Sequence, residues 1–182
     1  MYDPPATYSD HVPRWAGIAV AATGSVLTLA GCTVPPGGII GVTVDAAGKP
    51  VFVVQMCEGH VDGASLYLPD PDPDRAPPQV KDAGTWEVSP AVTGFSQFSA
   101  ENGGNGWRVT GTVQPRDPDA RYRIYAWTHD NSWSADGPEF SDRDLQTVVA
   151  GRLIVPPSKP ESEANEIWSV AEFQAKACDV WF

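Results

Sequence analysis

Prolines and glycines interrupt this chain at short intervals, and this feature constrains its fold more than any other. The 182 residues include 18 Pro and 17 Gly. Proline inside a helix removes a hydrogen bond and clashes with the preceding turn, and glycine weakens a helix by about 1 kcal/mol relative to alanine. Long helices therefore have little room, and the chain must fold through short elements joined by turns.

Short runs of β-branched and aromatic residues lie between these turns and predict strands. Strands are expected at residues 39–44, 51–57, 64–68, 84–88, 107–113, 122–128, 147–149 and 152–155, with the first two forming a hairpin. Helical turns are expected at 141–145 and at 172–178, the second after the capping pattern Ser169–Glu172 and with a strand as its alternative. The pattern predicts a mainly β fold, a β-sandwich with one or two short helical turns.

Two of the predicted strands have faces that can be assigned from their alternation. In 122–128, Tyr122, Ile124 and Ala126 are expected on one face, and Arg121, Arg123, Tyr125 and Trp127 on the other. In 107–113, Trp107, Val109 and Val113 are expected to share a face.

An apolar segment near the N-terminus indicates export. Residues 15–30 contain no charge, and as a helix these 16 residues would span roughly 24 Å, short of a hydrocarbon core of about 30 Å. The segment ends in Leu29, Ala30, Gly31 and Cys32, which resembles the lipobox of bacterial lipoproteins. The resemblance implies a signal peptide at 1–31, a diacylglycerol on the Cys32 sulfur, a Pro/Gly tether at 32–38 and an extracytoplasmic domain at 39–182 anchored to the cell membrane.

Two other interpretations of this segment remain open. Residues 15–34 are uncharged over 20 positions and could stay as a membrane span ended by Pro35 and Pro36, or the run could be a buried core segment. A lipid anchor and a retained span place the later residues on the same side of the membrane, because Arg14 is the sole flanking cation.

The composition adds a resemblance to a group of proteins. Arg outnumbers Lys eight to four, and together with the lipobox the chain resembles lipoproteins of actinobacteria. This resemblance brings no catalytic residues with it.

A second resemblance concerns the strand that begins near Tyr122. The segment Pro118–Ala126 is similar to the tyrosine-corner strand of fibronectin type III and immunoglobulin-like domains. The resemblance implies that the Tyr122 hydroxyl bonds the backbone a few residues upstream, and that the sandwich is immunoglobulin-like. The sequence departs from the pattern at Arg116, where an apolar residue is expected two positions before Pro118.

The cysteines predict one disulfide. A lipid on Cys32 would leave two cysteines, Cys57 and Cys178. These two form an even pair in an oxidising compartment, where disulfides persist. The alternative is two separate thiols, one buried at Cys57 and one exposed at Cys178.

Charge and motifs exclude several functions. The net charge of −11 repels phosphate backbones and argues against nucleic-acid binding. The chain contains no G-x-S-x-G, Ser-x-x-Lys or His-Glu-x-x-His motif. Two sets of alternating polar residues could suggest metal sites. A solvated loop is the favoured interpretation of Asp70, Asp72 and Asp74. A surface turn is the favoured interpretation of Glu58, His60 and Asp62. We therefore expect a non-enzyme without metal or cofactor; the alternative is a small secreted hydrolase that uses His129 with acidic neighbours such as Asp130.

Tryptophan is abundant after the tether, with six residues at Trp86, Trp107, Trp127, Trp133, Trp168 and Trp181. These rings can fill the core, or some of them can stack on sugar rings. Tyr125 and Trp127 are expected on the strand face opposite Tyr122, and Trp133 lies nearby in sequence. These three are therefore the candidate ligand-binding residues. The sequence predicts a lipid-anchored envelope protein that binds envelope glycan or another envelope protein, or that supports the envelope structurally.

Overall fold

The turns predicted from the sequence separate strands in nearly every part of the fold. The structure is a computed structural model that describes residues 34–182 except 71, 73–75, 78, 115, 160, 161 and 163. Its elements are β1 (Pro36–Val44), β2 (Pro50–Met56), β3 (Val61–Leu68), β4 (Lys81–Val92), β5 (Phe95–Ser99), β6 (Trp107–Val109), β7 (Tyr122–Trp127), β8 (Ser134–Phe140), α1 (Asp142–Gln146), β9 (Arg152–Val155), β10 (Glu166–Ser169) and α2 (Val170–Trp181). The expected signal peptide at 1–31 and the lipobox residues Leu29, Ala30, Gly31 and Cys32 lie outside the described residues.

The described strands form a sheet that bends over on itself into a nearly closed sandwich. One layer contains β8, β7, β3, β4 and β6 as successive neighbours, and the other contains β5, β2, β1, β9 and β10. β1 joins the two layers, because its first residues pair in parallel with β8 and its Val42 pairs with Ile154 of β9. The fold is mainly β, as the sequence predicts.

Aromatic rings from both layers fill the interior. The Phe52 ring of β2 is fully buried and lies 5.4 Å from the Trp86 ring of β4 and 6.3 Å from the Phe140 ring of β8. The Phe98 ring of β5 stacks on Trp107 of β6 at 4.1 Å. Because each contact joins strands of different layers, these rings hold the two layers together.

β1 is buried on both of its faces. Ile40 and Val42 face the aromatic interior, whereas Ile39 belongs to a second apolar cluster with Phe173 and Ala177 of α2. α2 therefore covers the outer side of β1, which explains why this strand is apolar throughout rather than alternating. The capping box expected at Ser169 and Glu172 is present and begins α2, which is longer than the predicted 172–178.

A disulfide connects α2 to the sheet. Cys57 follows β2, Cys178 lies in the last turns of α2, and the two are bonded with their Cα atoms 5.4 Å apart. The bond predicted from the sequence is present, and it fixes the C-terminal helix over β1 and β2.

The strand that begins at Tyr122 carries the expected corner contact. The Asp117 backbone N–H donates to the Tyr122 hydroxyl oxygen at 2.7 Å, and Tyr122 itself is buried. The faces of β7 also match the prediction, since Ile124 and Ala126 are fully buried.

Two predicted strands differ in the structure. β6 ends at Val109 rather than Val113. Val109 lies on the same strand face as the buried Trp107, but it is 36% exposed because β6 is the edge strand of its layer. Residues 147–149 are a turn after α1 rather than a strand, and Val149 is 67% exposed. A run of three residues is too short for its β-branched side chains to indicate a strand.

The sheet also contains strand residues that the sequence did not indicate. β5, β8 and β10 were not predicted, and β1 begins at Pro36, so residues 36–38 of the expected tether are part of the sheet. β8 contains Gly137 and Pro138, which face the single residue Ile124 of β7 at a register shift. Such a bulge accommodates a proline that lacks a donor N–H.

Candidate functional site

The outward side of β7 presents two aromatic side chains away from the core. Tyr125 and Trp127 are half-buried, while the alternate residues Tyr122, Ile124 and Ala126 are buried inside the sandwich. The alternation of the sequence predicts both side chains on the outward face of β7, and the structure has them there.

Trp127 is held against the neighbouring strand β3. Gly63 lies directly opposite Trp127, and a Cβ atom at Gly63 would overlap the indole ring. The Trp127 Nε1–H donates to the Ser65 hydroxyl at 3.0 Å. The ring is therefore fixed by packing and by a hydrogen bond, so a ligand that stacks on it would not have to order it first.

A third aromatic residue, Tyr67 of β3, joins this surface. It pairs with Arg123 across the strands, so it lies diagonal to Tyr125. Burial raises the pKa of Tyr67; the nearby Arg123 opposes this rise, and Asp136 adds to it. We call Tyr67, Tyr125 and Trp127 the outer aromatic face. The sequence carried a signal for Tyr67, because it alternates with the apolar Leu66 and Leu68.

The third predicted ligand residue, Trp133, occupies a different position. It lies in the β7–β8 connection, where its ring packs against Gly59 and Gly37 at positions that a Cβ atom would fill. The Trp133 backbone N–H donates to the Thr128 hydroxyl at 3.1 Å. Trp133 therefore closes the end of the sandwich, and the structure places only Tyr125 and Trp127 of the three on one strand face.

The other tryptophans follow the alternative interpretation. Trp86 and Trp107 are buried in the core at 0% and 2% exposure. Trp168 and Trp181 pair at 4.9 Å beside α2. These four rings hold the fold together, so among the described residues Trp127 is the tryptophan of the outer aromatic face.

His129, the residue of the alternative enzymatic prediction, lies beside Trp127. Its ring meets the Trp127 ring edge to face at 5.3 Å, and its Nδ1 is 3.2 Å from the Asp62 carboxylate. The His129 backbone N–H also donates to that carboxylate at 3.0 Å, and His60 Nε2 lies 3.6 Å from it. Partial burial acts to raise the pKa of Asp62, but the bonds from His129 outweigh it and lower that pKa.

The acid expected beside His129 is a different one in the structure. Asp130 does not pair with His129; its carboxylate accepts the Ser132 backbone N–H at 3.0 Å instead. Hydrogen bonds from Ser132 and Thr128 lower the pKa of Asp130 to about 2. The residue that faces His129 is Asp62, which is distant in sequence and is brought near by the pairing of β3 with β7.

The chemistry available around His129 is limited within the described residues. No hydrogen bond there joins the His129 ring to a serine, threonine or cysteine side chain, which a nucleophile would need. Among the same residues, no group of three or more His, Cys, Asp and Glu side chains is arranged to hold a metal ion. The carboxylate of Asp70 accepts the Asp72 and Gln79 backbone N–H groups, while Asp74 lies outside the described part.

Comparison with known proteins assigns no family to this arrangement. No family profile, curated protein or solved structure matches the chain. Of the helices formed by the described residues, none is both long and apolar enough to cross a membrane. The functional proposal therefore depends on the residues themselves.

Proposed function

We propose that this chain is a lipid-anchored envelope protein on the outer face of the cytoplasmic membrane, with a binding role and no catalysis. The lipobox resemblance at Leu29, Ala30, Gly31 and Cys32 supports the anchor. The Cys57–Cys178 disulfide supports an oxidising, extracytoplasmic location, since such bonds rarely persist in a reducing cytoplasm.

We propose that the sandwich is immunoglobulin-like. The neighbours β1–β2–β5 and β8–β7–β3–β4 correspond to strands A–B–E and G–F–C of such domains, with β4 as an added C′ strand. The Asp117–Tyr122 hydrogen bond at the start of β7 supports the same assignment, because β7 then takes the place of strand F. The strands β6, β9 and β10 and the helix α2 are additions to that plan.

The outer aromatic face carries the binding proposal, and its ligand is envelope glycan. Aromatic faces stack on sugar rings. The Trp127 ring packs against Gly63 and lies on the same face of β7 as Tyr125. Asp136 lies opposite Tyr125, and Arg123 lies opposite Tyr67, so charged hydrogen-bonding groups for sugar hydroxyls surround the rings.

Binding through this surface is tested with the full chain in detergent and soluble cell-wall fragments. Trp127→Ala should weaken binding about fivefold or more, because one stacking contact contributes about 1 kcal/mol. Trp168→Ala is the matched control, since Trp168 packs with Trp181 beside α2. Binding that is equal in both variants and the wild type would reject the outer aromatic face as the site.

Anchoring is tested separately by metabolic labelling with a fatty acid. The wild type should carry label and lack residues 1–31, and Cys32→Ala should carry none. A wild type that keeps residues 1–31 and takes no label would contradict the lipid anchor and favour a retained span.

The second candidate function is a hydrolase, and the contact between His129 and Asp62 favours it. A carboxylate that orients an imidazole is a component of many hydrolytic sites. The test is turnover of ester, glycoside and peptide substrates by the wild type and by His129→Ala. Turnover that disappears in the variant would support the hydrolase, whereas glycan binding that survives His129→Ala without any turnover supports the binding role.

A further inference from the structure

A cavity of about 310 Å³ lies between the β1–β2 turn and α1, at one end of the sandwich. Its apolar wall includes Val44, Leu145 and Val148, which are members of the main core cluster and are each less than a tenth exposed. Arg116 and Asp142 also line it. The cavity therefore extends from solvent to the core and combines an apolar wall with one charged pair.

Arg116 occupies the position where the tyrosine-corner resemblance expects an apolar residue. Its side chain is only 17% exposed, and its Nε–H donates to the Asp142 carboxylate at 2.6 Å. Within the described part of the chain, this is the hydrogen bond that Arg116 makes. A guanidinium has five N–H donors, so the two terminal nitrogens can still donate to an acceptor in the cavity.

The Asp142 contact restrains the side chain of Arg116 at the wall of the cavity. A carboxylate bound at Nε restrains the guanidinium plane, and the terminal nitrogens then form the fork that pairs with a second carboxylate through two parallel bonds. The apolar side chains of Val44, Leu145 and Val148 line the same cavity. The arrangement matches a molecule with an acidic end and an apolar body.

We propose that this cavity binds a small monocarboxylic acid, with its carboxylate on Arg116 and its apolar body against Val44, Leu145 and Val148. The volume is at the lower limit of ligand cavities, about 300–1,000 Å³, so it fits one small molecule rather than a polymer. Asp142 offsets part of the positive charge of Arg116, so we expect a Kd of about a millimolar. The site is separate from the outer aromatic face and does not depend on glycan binding.

The experiment is an NMR titration of the isotope-labelled full chain in detergent with hexanoate and with hexanamide. Hexanoate should shift the methyl signals of Val44, Leu145 and Val148 and the Nε–H signal of Arg116 in a saturable way. Hexanamide has the same apolar body without the charge, and it should bind about tenfold more weakly or worse. Equal binding of the two probes, or hexanoate shifts located elsewhere, would overturn the proposal.

Two variants complete the test. Arg116→Gln should weaken hexanoate binding about tenfold, because it removes the charged donors. Arg121→Gln is the matched control: Arg121 donates from its Nε to Glu139 at 2.7 Å but is 54% exposed and outside the cavity, so hexanoate binding should not change. Unchanged affinity in Arg116→Gln overturns the proposal; if that variant does not fold, the acid and amide titrations of the wild type decide.

Discussion

Removal of the Cys57–Cys178 disulfide should destabilise the protein by a large fraction of its free energy of unfolding. The two cysteines are separated by 121 positions in the sequence. In the chain-entropy model, closing a loop of this length in the unfolded state contributes about 5 kcal/mol, and removing native disulfides costs about 2–5 kcal/mol. A domain has a free energy of unfolding of about 5–15 kcal/mol, so the loss is a large fraction of the total.

The geometry of α2 determines how the loss should be distributed. Without the bond, α2 is held by the burial of Phe173 and Ala177 and by the Trp168–Trp181 contact. We expect the Cys57→Ala, Cys178→Ala double variant to unfold in urea at a lower midpoint, with the helical signal lost at or before the fluorescence transition.

Reductant provides the internal control for this prediction. It should shift the wild-type midpoint toward that of the double variant and leave the double variant unchanged. The reasoning is refuted if the free energies of unfolding of the wild type with and without reductant agree within about 1 kcal/mol, since the loop-closure contribution would then be absent. Denaturing alkylation without reductant should modify neither cysteine of the wild type.

Three further predictions concern individual side chains. Tyr122→Phe should lower the free energy of unfolding by about 1 kcal/mol, because the Asp117 amide loses its partner, and unchanged urea unfolding would contradict this. Gly63→Ala should destabilise the protein by about 1–3 kcal/mol and alter the near-UV signal of Trp127, because the new methyl group overlaps that ring; an unaltered spectrum would disagree. Asp130 has a lowered pKa in the folded protein, so its stabilising contribution is complete above its ordinary pKa of 3.8 and is lost as the pH falls toward about 2. The stability difference between the wild type and Asp130→Asn should therefore shrink over that pH range, and a constant difference would exclude the effect.

The fold could be predicted where local pattern and burial agree. β7 alternates because one of its faces is inside the sandwich and the other is outside, so its faces were correctly assigned from residues 122–128. β8 was missed because Gly137 and Pro138 do not favour a strand, and only its position between β7 and β1 makes it one. That position is a tertiary effect, which outweighs local propensity.

The residues of the candidate site were predictable where they depend on the alternation of a single strand, and not where they depend on how strands pair. Tyr125 and Trp127 follow from the alternation of one strand, and Tyr67 could have been found in the same way. The contact of His129 with Asp62 depends on the register that places Gly63 opposite Trp127, and no local pattern specifies it. The coverage of β1 by α2 likewise joins segments that are far apart in sequence, although the cysteine count indicated a link between them.

The position of β1 between the two layers affects how the chain acquires its structure in time. β1 finds its hairpin partner β2 at once, but its other neighbours, β8 and β9, begin at Ser134 and Arg152. At a synthesis rate of about 5–20 residues per second, β1 waits roughly 5–20 s for the last of these strands. During this interval the sheet cannot close, although the sequential pairs β1–β2 and β3–β4 can already form. This strand order therefore delays closure of the sandwich until β8 and β9 have been synthesised.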